Sequence, residues 1–99
     1  MAMNFEVILD KKVDKALIKL AKSAPKEHLR IMEFLDNKLA NSENPCLLPN
    51  AKHLQGFDDN RYRWRVGEYR IIGIVENGTY KIIQVIKIAK RDESTYKGL

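Results

Sequence analysis

The chain has 99 residues, 44% of them hydrophobic and 31% charged, which fits one folded domain over residues 1–99 and excludes wholesale disorder, a collagen-like fibre and a coiled-coil rod. No apolar run approaches the roughly 20 residues of a membrane-spanning helix, Glu6 interrupts the start of any export signal, and Cys46 has no second cysteine to pair with, so a cytoplasmic protein without a membrane role is expected. The formal charge of +5 is lopsided: residues 1–60 hold nine Lys and Arg against nine Asp and Glu, residues 61–99 nine against four, a footprint for a polyanion, for an acidic protein, or a solvated basic surface.

Asn4 to Leu9 ends in three apolar residues, two of them β-branched, and reads as a strand. Asp10 suits a helix N-cap, and Val13, Ala16, Leu17, Leu20, Ala21 and Ala24 recur at the spacing of one helical face. Pro25 suits the first position of a second helix, with Glu27 in its first turn and Ile31, Met32, Leu35 and Leu39 as its stripe. The pair forms an αα-hairpin. Asn41 to Asn50, with two prolines, is expected to be a loop. Then the period becomes two. Tyr62, Trp64 and Val66 alternate with Arg61, Arg63 and Arg65, which places the aromatics inward and the arginines outward. Gly67-Glu68 and Asn77-Gly78 are hairpin signals, so a three-stranded meander is expected near 61–66, 69–76 and 80–89. The expected fold is α+β, in the order βααβββ: an antiparallel sheet against the αα-hairpin, with the first strand added at the edge.

Metal binding finds little support. His28, Cys46 and His53 match no zinc spacing, and no Gly-rich phosphate loop or Gly-x-Ser-x-Gly elbow is present. Neither a metal nor a cofactor is expected. What stands out is a concentration of cations on strands: Arg61, Arg63 and Arg65 share one face, Arg70 lies just past the turn, and Lys90 and Arg91 extend the set. Crowding like charges destabilises a sheet, whereas the guanidinium fork is shaped to donate in pairs to phosphate. The alternative is an edge strand protected from aggregation by its charge.

In order, Ala51 to Gly56, Arg61 to Ile72, the hairpin and Ile88 to Tyr96 resemble the RelE branch of the RelE/ParE toxin superfamily over nearly the whole chain. The resemblance implies the toxin half of a type II toxin-antitoxin pair. Such a toxin is a ribosome-dependent, metal-independent endoribonuclease that cuts mRNA in the ribosomal A site and is silenced by a cognate antitoxin in a hetero-oligomeric complex. By position it implies Arg63, Arg65, Arg70, Arg91 and Tyr96 as catalytic residues and Lys52 as a phosphate contact, and the cation cluster adds Arg61 and Lys90 as expected RNA contacts. The chain departs from the family pattern in having Arg on the strand where Lys is common and Ala89 where Gly is usual.

The chemistry is consistent with that implication. RNA carries its own nucleophile, the 2′-OH, so the protein need only position it, move two protons and stabilise charge. A tyrosine near several cations becomes a better base, because they favour its phenolate. Two other functions share the same residues: a ParE-like non-catalytic toxin acting on DNA gyrase, and an RNA-binding module without turnover, which would need Tyr62 or Trp64 exposed for stacking.

Overall fold

The computed structural model describes residues 4–91. Strand β1 (Glu6–Leu9) leads into helices α1 (Lys11–Ser23) and α2 (Pro25–Glu33), a π-turn over Phe34–Leu39 and a 3-10 turn over Pro45–Leu47. Strands β2 (Ala51–His53), β3 (Arg61–Val66), β4 (Tyr69–Asn77) and β5 (Lys81–Lys90) follow. The fold is α+β, with five strands in the order β1-β5-β4-β3-β2.

Each helix buries the stripe its spacing sets. Val13, Leu17 and Leu20 are buried on α1, and Ile31, Leu35 and Leu39 along α2 and its π-turn, where Phe34, outside the expected stripe, is buried and Met32 is only half-buried. Asp10 departs from the expected side-chain cap. Its carbonyl accepts from the Val13 and Asp14 amides, while its carboxylate accepts from Gln84 Nε2 at 2.8 Å and ties the start of α1 to β5.

The expected antiparallel sheet needs one correction. β2 to β5 are antiparallel, but β1 joins the edge parallel to β5, from Glu6↔Ile82 to Leu9↔Val85. Two helices and three strands separate β1 from β5, and parallel neighbours require such a crossover. The turn at 67–68 forms as expected, with Gly67 at φ +58 and no positive φ at Glu68, as the first central position of a type II′ turn demands. The Asn77-Gly78 signal does not produce a two-residue turn. Asn77 stays in β4 opposite Lys81, and Gly78, Thr79 and Tyr80 make the connection.

The core lies between the helices and one face of the sheet, where Trp64, Ile71, Ile83 and Val85 are fully buried. Trp64 Nε1 donates to the Pro45 carbonyl at 3.0 Å, so its one polar atom is satisfied inside. Gly73 makes room for that indole, since a Cβ there would lie 2.9 Å from Trp64 Cζ3. Next to Gly73 the β4–β5 register slips: Ile72 faces Lys87 and Gly73 faces Val85, leaving Ile86 as the extra residue of a bulge.

Candidate nucleic-acid interface

Directly opposed residues share a face, so the register assembles the surface away from the helices. One row runs Lys52, Arg63, Ile72, Lys87 across β2, β3, β4 and β5. The next runs Arg65, Arg70, Ala89. Four strands thus bring Lys52, Arg63, Arg65, Arg70 and Lys87 together over a floor that includes the fully buried Ile72.

Arg63, Arg65 and Arg70 make no ion pair with any described residue. Arg65 and Arg70 face one another directly, an arrangement of like charges that costs on the order of 0.2–1 kcal/mol. Arg63 is half-buried; its guanidinium nitrogen NH1 donates to the Asn50 carbonyl at 3.4 Å, while its buried Nε has no hydrogen-bond partner among the described residues. The Arg65 amide donates to the same carbonyl at 3.1 Å, and Asn50 Nδ2 donates to the Arg65 carbonyl at 2.8 Å. Asn50 therefore anchors the segment that carries both arginines. Pro49, Asn50, Ala51, Arg63, Arg65 and Gly67 line a concavity of about 460 Å³. Arg30 reaches this region from α2, with its NH1 2.8 Å from where a Cβ on Gly67 would stand.

Arg91 continues the cluster. Its amide donates to the Glu68 carbonyl at 2.6 Å and its carbonyl accepts from Arg70 NH1 at 3.3 Å, which ties the end of β5 to the β3–β4 turn beside Arg70. Lys52 is exposed in the same row as Arg63. Two of the expected RNA contacts are placed differently. Lys90 lies opposite Tyr69, a residue packed against the core, and so belongs to the other face. Arg61 is held by Asp59 at 2.8 Å with its guanidinium 4.3 Å over the Phe57 ring. Tyr96 lies outside the described residues.

Lys87, Asn50 and Arg30 are absent from the expected set. For Lys87 the cause is the bulge: with Val85 facing the core, strict alternation would send Lys87 inward too, and the extra residue Ile86 turns it out to the arginines and turns Ile88 in. Asn50, beside Pro49, gives only a turn signal. Arg30 carries no sequence signal, because its place depends on how α2 packs.

Tyr62 and Trp64 are turned from this surface. Tyr62 stacks on Trp64 at 6.2 Å and meets the His53 ring edge-on at 5.1 Å. A side-chain hydrogen bond with Cys46, then burial and repulsion from the Cys46 thiolate, push its phenol above the ordinary value, so it remains protonated and unsuited to act as a base. No three His, Cys, Asp or Glu side chains gather into a ligand set among the described residues, and no described helix is long and apolar enough to cross a membrane.

The chain is thus an α+β domain whose sheet presents arginines that no described acid pairs with. No protein-family model matches the sequence, nor does any curated protein. Solved structures do. A chain of the archaeal RelE-RelB complex from Pyrococcus horikoshii OT3 is 33% identical with a TM-score of 0.70, over 93% of this chain and 100% of that one. A chain of the toxin-antitoxin complex RelBE2 from Mycobacterium tuberculosis, 18% identical with a TM-score of 0.71 over 94% of this chain and 97% of that one, shares the fold. The protein belongs to the RelE family, as a RelE-type toxin of a type II toxin-antitoxin system.

Proposed function

We propose that the protein is a ribosome-dependent endoribonuclease that cuts mRNA in the A site without a metal. The observation that carries this reading is the gathering of Arg63, Arg65 and Arg70 on one face, the first two lining a concavity, with no described acid paired to them. A fold gains nothing from opposing Arg65 and Arg70, but an RNA phosphate gains several charge-assisted donors at once. The 2′-OH attacks the adjacent phosphorus, and the products are a 2′,3′-cyclic phosphate and a 5′-OH. Arg70 and Arg91 stabilise the charge that builds on the phosphorane, with Arg91 toward the leaving oxygen. Arg63 and Arg65 orient the backbone, both on the strand segment that Asn50 fixes. Lys52 holds a neighbouring phosphate, Tyr96 takes the 2′-OH proton, and the leaving 5′ oxygen takes up a proton from water. Arg61 is left out, because Asp59 already holds it.

Two neighbours of this fold are toxins bound to antitoxins, which supports a cognate antitoxin for this chain as well. An acidic segment laid over the arginine face would neutralise it. The burial of Trp64 favours turnover over a base-stacking module.

The test is to incubate the purified protein with programmed ribosomes and map the messenger ends. Cuts inside the A-site codon are expected, with Arg70→Ala slower by about 10²–10³-fold, the usual cost of losing one transition-state donor. Tyr96→Phe should abolish cutting with the fold intact; unchanged cutting would remove Tyr96 from the mechanism. Intact messenger together with inhibited supercoiling by gyrase would overturn the reading.

A further inference from the structure

Beyond the arginine face, the β2 edge of the sheet carries a second hollow. It measures about 490 Å³ and is lined by Lys52, His53, Leu54, Gln55 and Phe57. Its walls are held from behind: the His53 ring meets Tyr62 edge-on, Tyr62 stacks on Trp64, and Phe57 lies under the Arg61 guanidinium that Asp59 fixes. Gly56, at φ +90, turns the chain directly after Gln55. Gln55 is exposed. An amide there offers one acceptor and two donors. Lys52 belongs to both surfaces, since it lines this hollow and stands opposite Arg63 in the register.

Aromatic and aliphatic walls, one amide and a cation shared with a phosphate-binding face match the parts of a nucleotide. The walls suit a base plane, the amide can read a base edge, and the ammonium suits the phosphate. We infer that this hollow is a nucleobase subsite, taking the base of a nucleotide next to the phosphate held by Arg63 and Arg65. The inference rests on the RNA-cleavage reading above. It makes Gln55 a specificity-determining residue, because the identity of that base would set which messages are cut fastest.

The experiment titrates the full-length isotope-labelled protein with AMP, GMP, CMP, UMP and ribose 5-phosphate while following the backbone amides. Nucleotides should shift residues 52–57 with affinities that differ between bases, and ribose 5-phosphate should not. Gln55→Ala should level those differences, and on programmed ribosomes it should redistribute cut sites by roughly fivefold, the lower end of what one stacked or read base contributes. Equal shifts from ribose 5-phosphate, no shifts at 52–57, or an unchanged distribution of cuts in Gln55→Ala would overturn the subsite and leave the ribonuclease reading standing. Base-dependent shifts in a protein that cuts no messenger would overturn the ribonuclease reading and leave the subsite.

Discussion

Tyr62, Trp64 and Val66 on one side of β3 lie in or against the core, and Trp64 finds a carbonyl for its only donor. On the other side of the same six residues, Arg63 and Arg65 have no described acid, and one faces Arg70. The first surface follows the rules of stability: apolar area removed from water and every buried polar atom matched. The second breaks them, with like charges opposed and a buried nitrogen unpartnered. A strand that obeys these rules on one side and departs from them on the other is what the proposed RNA contact would explain. Arg61 sharpens the contrast, because that arginine is given an acid and a ring.

The difference between the two sides can be measured. Trp64→Ala should cost about 3–5 kcal/mol, the range for emptying a fully buried indole site, and a loss under about 1 kcal/mol in denaturant titration would contradict its place in the core. Gly73→Ala comes next at about 1–3 kcal/mol, because its Cβ would meet Trp64 Cζ3 at 2.9 Å and the Gln84 carbonyl at 3.3 Å. Asn50→Ala removes the 2.8 Å bond to the Arg65 carbonyl and should cost about 1 kcal/mol of stability. Its cleavage rate should fall by more than that destabilisation explains, which single-turnover assays well below the unfolding temperature would reveal.

The smallest of these effects is in alkali. The Tyr62 phenol is raised above its ordinary 10.0, so the stability it contributes is intact below that pH and is lost as pH climbs through the native value. Tyr62→Phe should flatten the alkaline decline in unfolding free energy; an identical decline in both proteins would mean that the Cys46 contact carries no weight.

Much of this contrast was legible in the sequence, for physical reasons. A period of two over Arg61–Val66 specifies the inside and outside of β3 without reference to any partner, and β3 occupies the expected residues. Gly67 supplies the positive φ that its turn needs, and α1 and α2 follow their stripes. What the sequence hid depends on contacts distant in the chain. β2 is three residues long, too short for any periodicity, and exists because β3 pairs with it. The parallel direction of β1 is set by β5, 74 positions away along the Asp10–Gln84 bond. On the sheet, the shared face of Arg63, Arg65 and Arg70 was readable from alternation and the turn at 67–68. The exchange of Lys90 for Lys87 was not, because a bulge at Ile86 leaves no mark in composition.

Arg65→Ala tests the central idea most directly when unfolding free energy and A-site cleavage are measured on the same preparation. Removing one of two directly opposed guanidiniums should leave stability unchanged or raise it by a few tenths of a kcal/mol, while cleavage falls by at least about tenfold. A variant that is destabilised by more than about 1 kcal/mol, or that cuts as fast as the parent, would contradict the claim that this arginine face is maintained for RNA and not for the fold.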